Sequence, residues 1–170
     1  MMLIFAAAMA LLAPAEEWLV WPHAEGFVVG HKETAVEGSI EEQVPAGETV
    51  ENWSRMITSM RFPGAPATEQ FTDDLAAGWK KACPGSRSVS QIVLADFRVT
   101  VEARMDCPRN PQTGKPETMF MRSIPGDDAL YVLQIAFRHA PDAAEVRWAE
   151  AQLAAAVMCT AKSPRPACKR

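Results

Sequence analysis

Residues 118–138, TMFMRSIPGDDALYVLQIAFR, decide the fold of this chain. Two runs of β-forming residues, 118–124 and 129–138, lie on either side of the sequence Pro-Gly-Asp-Asp at 125–128. Proline fixes φ and glycine permits a positive φ, so these four residues favour a turn. Strand-forming residues on both sides of such a turn predict an antiparallel hairpin.

Further strands are predicted before this hairpin. In residues 97–105 apolar and polar side chains alternate, which is the period of a half-buried strand. Residues 89–94 form a strand candidate ahead of it, and a loop at 108–116, rich in Pro, Asn and Gly, follows it. The strand candidates nearer the N-terminus are residues 18–21, 27–32, 39–44 and 53–62.

Two segments have helical periodicity, residues 67–83 and residues 142–159. The first ends at Cys83-Pro84-Gly85, and the second begins at Asp142, a residue that caps helix N-termini well. The apolar residues at helical spacing are Phe71, Leu75 and Trp79 in the first segment and Val146, Leu153 and Val157 in the second.

The order of these elements is several strands, a helix, four strands and a helix. It predicts an α+β fold in which a mostly antiparallel sheet carries the two main helices on one face. We expect a single domain at residues 16–160, followed by an irregular tail at 161–170, which holds two of the chain's prolines.

The first fifteen residues resemble a cleavable export signal. Leu3 to Leu12 is an uninterrupted apolar run, and Ala13-Pro14-Ala15 is a small-x-small cleavage pattern. No Lys or Arg precedes the run, which leaves a buried N-terminal helix as the alternative interpretation. The run is shorter than the roughly 20 apolar residues of a transmembrane helix. The sequence therefore predicts a periplasmic or secreted protein with no stable membrane anchor after cleavage.

The charge of the chain excludes some partners. The formal net charge is −4, and no basic cluster is present. Nucleic-acid binding and adhesion to anionic membranes both depend on such clusters, so neither is expected.

Four cysteines fit the oxidising compartment outside the cytoplasm. Four cysteines allow three pairings, and none of them lies in a C-x-x-C pair. Pairing Cys83 with Cys107 and Cys159 with Cys168 is preferred because each bridge would close a local loop at the edge of a predicted element. A bridge from Cys83 to Cys159, which would join the two helices, remains an alternative.

A distinctive string, VPAGETVENW, occupies residues 44–53 and continues through RMIT to residue 58. With CPRNPQTGKPET at 107–118 and DALYVLQIAFR at 128–138, it resembles a group of small exported bacterial proteins. The resemblance implies the compartment, but it supplies neither an activity nor catalytic residues. The element order is also similar to that of PsbP/Mog1-like folds.

Two places are candidate binding sites. A ligand groove at the distinctive string would use Asn52, Trp53 and Arg55, although a buried tryptophan beside a turn is the simpler interpretation. The loop 108–116 would present Arg109, Asn110 and Lys115 for recognition, because exposed loops commonly carry binding residues, although an ordinary hairpin connection explains it as well.

No catalytic, nucleotide-binding or metal-binding motif stands out. His23, His31 and His139 lack the spacing of metal ligands, and no serine lies in a nucleophile elbow. No cofactor is expected. The leading hypothesis is a non-enzymatic periplasmic module that binds a protein or a small ligand across its sheet. The alternatives are a hydrolase whose site forms only in three dimensions, and an accessory factor in envelope assembly or stress.

Overall fold

A computed structural model describes residues 17–65, 67–95 and 97–169, so the expected export signal at 1–15 lies outside the described residues. A short 3₁₀ helix, Pro166–Cys168, lies in the tail. The other elements, in chain order, are β1 (Glu17–Val20), β2 (Phe27–Ala35), β3 (Gly38–Pro45), β4 (Arg55–Pro63), α1 (Thr68–Ala82), β5 (Arg87–Ala95), β6 (Arg98–Cys107), β7 (Glu117–Pro125), β8 (Ala129–Phe137), α2 (Ala143–Ala154) and β9 (Val157–Thr160).

Seven strands form one antiparallel sheet in the order β2-β3-β4-β8-β7-β6-β5, and β1 pairs with β9 in a small second sheet. The predicted hairpin is confirmed, because β7 and β8 pair from Thr118 opposite Phe137 to Pro125 opposite Leu130. Gly126 is needed in its turn for a different reason from the expected one. Its φ is not positive, but a Cβ at this position would collide with the Glu17 carboxylate and the Tyr131 ring.

The α+β class and the antiparallel sheet are confirmed, but the two helices do not share one face. Alternate residues of β7 face opposite ways: Met119 and Met121 belong to a core with α1, whereas Phe120 belongs to a core with α2. The two faces are called here the α1 side and the α2 side. The central strands β7 and β8 are buried on both faces and mostly apolar, as strands covered on both sides are. A helix on each face is what buries them.

The second helix is shorter than predicted. It ends at Ala154, and Val157, expected on its apolar face, instead begins β9. Residues 157–160 pair antiparallel with β1, from Glu17 opposite Thr160 to Val20 opposite Val157. Val, Cys and Thr favour a strand once a partner strand is available, and that partner is distant in the sequence.

Both preferred disulfides are confirmed. Cys83–Cys107 joins the end of α1 to the end of β6, and Cys159–Cys168 ties the tail to β9. No cysteine among the described residues is free.

The N-terminus of α2 makes the stability of the protein depend on pH. The Asp142 carboxylate accepts hydrogen bonds from the backbone N–H groups of Glu145 and Ala144, which lower the pKa of Asp142. Because the pKa is lower in the folded state, the stabilisation is complete above the unfolded pKa and is lost as the pH falls below roughly 4. Asparagine caps helices about as well as aspartate but does not titrate.

We therefore expect the Asp142→Asn variant to lose less stability on acidification than the wild type does. Urea unfolding at about pH 6 and about pH 3 measures the difference between the two proteins. The difference should shift in favour of the variant at the lower pH. A difference that stays constant would contradict the capping role of the ionised carboxylate.

Candidate functional site

The two edges of the large sheet differ in how well they are protected against pairing with another strand. Edge strand β2 carries His31, Lys32 and Glu33 in succession, and its register with β3 is irregular between Val29 and His31. Lys32 also forms an ion pair of 2.8 Å with Glu41. Charges and irregularities of this kind prevent an edge strand from pairing with another chain.

The opposite edge, β5, has none of these protections. Its sequence, RSVSQIVLA, contains one charged residue, Arg87, at its first position and no proline. It pairs with β6 without interruption, from Arg87 opposite Asp106 to Ala95 opposite Arg98. In residues 17–65, 67–95 and 97–169 no strand pairs with its outer side. An edge strand of this length therefore presents backbone N–H and C=O groups for a further strand.

Large apolar side chains are exposed along this edge. Ile92 is 66% exposed, Leu94 is 73% exposed, and Val99 of β6, opposite Leu94, is half-exposed. All three lie on the α1 side, since their register places them on the same face as Ala103 of the α1 core. Exposed apolar patches mark docking surfaces more often than isolated exposed side chains do.

Phe97, at the tip of the β5–β6 hairpin, extends this apolar patch. Its side chain is fully exposed, and its φ is 60°, in the left-handed region. A bulky residue in that region costs about 1–2 kcal/mol, and glycine or asparagine would avoid most of that cost. A phenylalanine that is both strained and exposed does not stabilise the fold. This combination indicates that Phe97 has a binding role. We call Ile92, Leu94, Phe97 and Val99 the apolar tip.

On the α2 side, a groove of about 560 Å³ lies beside the same edge. Its floor includes Phe120, with the Arg104 guanidinium 5.1 Å from the ring centroid. Arg104 is itself held by Asp106 through hydrogen bonds of 2.9–3.1 Å. The volume lies in the range of small-ligand sites. The strand β5 forms one wall through Val89, Ser90 and Gln91, and the end of α2 forms the other through Glu150, Leu153 and Ala154.

A buried arginine fixes the α2 wall of this groove. Arg122 of β7 has a side chain that is only 5% exposed. Its Nη1 donates to the carbonyl oxygens of Leu153 at 2.9 Å and Ala154 at 3.2 Å. These carbonyls end α2, where a cation is favourable. Glu102, 3.6 Å from Nε, provides a nearby opposite charge.

A polar junction holds β1 against the turn after β7. The fully buried Glu17 carboxylate accepts from Arg98 at 3.2 Å and from the Asp127 backbone N–H at 2.7 Å. Beside it, Arg61 bonds Asp128 at 2.7 Å. Burial disfavours ionisation of Asp128, but the hydrogen bond and charge of Arg61, together with hydrogen bonds involving Tyr131 and Glu17, outweigh that effect and hold the pKa of Asp128 below its usual value. Because its charges are paired with one another, this junction serves to hold β1 against the turn after β7.

The predicted site at the distinctive string is divided between a small separate cluster around Trp53 and the α2 core. Trp53 is buried against Val44 and Met56, and the Arg138 guanidinium stacks on its ring at 4.1 Å. Arg55 instead lies over the Phe27 ring, 5.5 Å from its centroid, in the α2 core. Asn52 is exposed in the turn. The three side chains do not line one groove.

The predicted loop residues also lie apart from the apolar tip. Arg109 and Lys115 are exposed, and the Asn110 side chain donates to Glu117 at 2.7 Å, which folds the loop into a compact turn. Register places this loop and Arg55 at one end of the sheet, because β4, β8 and β7 align Arg55, Phe137 and Thr118. The turn between β5 and β6 lies at the other end. The β5 edge is not among the sites predicted from the sequence, because only the strand order of the sheet shows that β5 lies at an edge.

Neither a metal-binding cluster nor a membrane-spanning helix is found among the described residues. Over the described part of the chain, no three His, Cys, Asp or Glu side chains come together so as to hold a metal ion. Among the same residues, no helix has both the length and the apolar character needed to cross a bilayer.

Comparison with known proteins finds distant likenesses among solved structures. No protein-family model matches the chain, and no curated protein matches its sequence. Among solved structures, it is similar to LpqN, described as involved in cell envelope biogenesis of Mycobacterium tuberculosis. The two are 12% identical over 87% of each chain, with a TM-score of 0.46. A likeness this distant establishes neither a shared fold nor a shared role, so the function has to be inferred from this chain's own residues.

Proposed function

We propose that this protein is an exported, non-enzymatic module that binds a partner polypeptide along β5. The contrast between the two sheet edges carries the proposal. Both edges expose apolar side chains, Val28 and Val29 on β2 and Ile92 and Leu94 on β5. However, β2 is protected by charges and an irregular register, whereas β5 is regular and almost uncharged. Proteins protect edges that must stay free, so an unprotected edge supports a pairing role.

The chemistry of the edge defines the partner. A strand that adds to β5 gains main-chain hydrogen bonds along its whole length, and its alternate side chains give specificity. On the α1 side it would meet Ile92 and Leu94 and continue towards Phe97. The partner is therefore an extended, largely apolar polypeptide segment.

Two features support an exported protein and a binding function. Two disulfides favour an oxidising compartment, the periplasm or the exterior, where an accessory factor of envelope assembly or stress could act on other chains. Several of the charged side chains near the groove are paired with one another, as in Arg104–Asp106 and Arg122–Glu102. Paired charges of this kind support binding over the hydrolase alternative.

A photo-cross-linking residue at Leu94 should capture a defined partner in cells that export the protein. The same probe at Val36 is the matched control, since Val36 is 91% exposed in the turn after the protected β2 edge. Gel mobility and mass spectrometry of the adducts give the readout. The proposal predicts discrete adducts from position 94 and none from position 36.

A second variant tests the role of the aromatic tip. Phe97→Asn keeps a residue that tolerates a positive φ, so folding should be retained. Adducts from position 94 should fall at least roughly fivefold, because an aromatic anchor contributes about 1 kcal/mol or more. Equal adducts from positions 94 and 36, or none from either, would overturn the proposed function.

A further inference from the structure

We infer that the strand which pairs with β5 is β5 of a second copy of this chain, so that two sheets join edge to edge in a symmetric dimer. The inference rests on the proposed function, because it names the partner of the same edge. Three properties of the strand support this inference. All nine residues pair in a register centred on Gln91, the strand carries almost no charge, and it forms one wall of the groove.

Gln91 is the midpoint of Arg87–Ala95. Antiparallel pairing of two copies about this residue puts each residue opposite one of the second copy and leaves none unpaired. A shift of the register by two residues would lose two of the nine pairs, since β5 has nine residues. A shift by one residue would place the α1-side residues of one copy opposite the α2-side residues of the other.

The side chains fit this register on both faces. On the α1 side, Ile92 lies opposite Ser90 of the second copy and Leu94 lies opposite Ser88, so a large side chain always meets a small one. The two Ile92 side chains become diagonal neighbours, about 7–8 Å apart, which is within reach of long side chains. On the α2 side, Val89 meets Val93, and the two Gln91 amides meet at the two-fold axis. Within one copy, Gln91 Nε2 donates to Glu102 of β6 at 3.0 Å.

Charge also favours a second copy over an arbitrary partner. The strand carries Arg87 alone, and the symmetric register places Arg87 opposite Ala95. No like charges therefore oppose each other along the paired strands, although two identical chains meet. The corresponding register of β2 about its midpoint would place the two His31 residues opposite each other and the two Lys32 residues at diagonal positions.

The dimer would also complete the groove on the α2 side. Val89, Ser90 and Gln91 form its β5 wall, which in a single copy borders the open edge. A second copy would extend that wall with its own β5 and would bring the two grooves together across the two-fold axis. The second copy therefore contributes residues to a site that one chain leaves open.

Single cysteine substitutions test the register directly in the full exported protein. In Gln91→Cys the two new thiols lie opposite each other, and mild oxidation should link most of the protein into covalent dimers. In the control Val89→Cys the thiol is on the same strand and the same face, and its side chain is 67% exposed. The two Val89 positions, however, are four residues out of register, about 13 Å apart. Covalent dimers from this control should be at least roughly tenfold fewer, because a disulfide needs Cβ atoms within about 4.5 Å.

The outcomes separate the inference from the proposed function. Non-reducing electrophoresis measures the dimers, and circular dichroism checks that both variants are folded. Strong linkage of Gln91→Cys with little linkage of Val89→Cys supports the dimer. Equal linkage of the two variants, or none from Gln91→Cys, overturns it. If the Leu94 probe captures a different protein while Gln91→Cys stays monomeric, the inference fails and the proposed function stands. If neither experiment yields an adduct, both fail.

Discussion

Replacing both Cys83 and Cys107 by serine should lower the free energy of unfolding by about 3.5 kcal/mol. The bridge closes a segment with a sequence separation of 24 residues, and the chain-entropy relation assigns a loop of that length about this stabilisation. Both cysteines are buried, so the lost bridge also leaves two small polar side chains in the core. Denaturant unfolding of the double variant measures the change.

The second bridge provides the matched control. Cys159–Cys168 has a sequence separation of 9 residues, for which the same relation gives about 2.6 kcal/mol. Serine replacement there should thus be the milder change, by about 1 kcal/mol. A larger loss from the Cys159–Cys168 pair would show that loop entropy does not determine the contribution of these bridges.

Arg122→Leu should destabilise the protein by about 3 kcal/mol. The guanidinium is almost fully buried and supplies the hydrogen bonds that end α2 at Leu153 and Ala154. Leucine would leave both carbonyl oxygens without this donor and would remove a cation from the C-terminus of the helix.

Glu102→Gln distinguishes the two interactions of Arg122. The Glu102 carboxylate lies 3.6 Å from Nε, beyond hydrogen-bond distance, and its side chain is 27% exposed. Its neutralisation should therefore cost less than about 1 kcal/mol. If Glu102→Gln were as destabilising as Arg122→Leu, the ion pair and not the helix end would be the main contribution.

Short sequence patterns predicted the elements that are formed by residues near one another in the chain. The Pro-Gly-Asp-Asp turn at 125–128 predicted the β7–β8 hairpin, Asp142 predicted the start of α2, and the placement of the cysteines predicted both bridges. Each of these features depends on residues that are close together in the chain.

Features that depend on distant partners were missed. β9 becomes a strand because β1, more than a hundred residues earlier, pairs with it. The placement of the helices on opposite faces follows from β7 and β8 being mostly apolar on both sides, a pattern that does not by itself say what covers each face. The turn chemistry around Gly126 depends on Glu17, which is also distant in the sequence.

The candidate site was missed for a similar reason. Trp53 was a candidate because it lies in the distinctive string at 44–53. In the structure it is buried beside a turn, which was the simpler interpretation, and Arg138 stacks on its ring. The run at 87–95 reads as an ordinary strand, and only the strand order shows that it lies at an edge. An unprotected edge is a property of the sheet and cannot be read from the strand alone.

Amide hydrogen exchange of the unmodified protein at two concentrations tests most directly whether β5 pairs with β5 of a second copy. The β2 edge serves as the internal reference, because its charges and irregular register disfavour pairing of its outer side with another strand. The account predicts that amides of β5 exchange at least roughly tenfold more slowly in concentrated than in dilute protein, while those of β2 do not change. Exchange from β5 that is as fast as from β2 at both concentrations would contradict it.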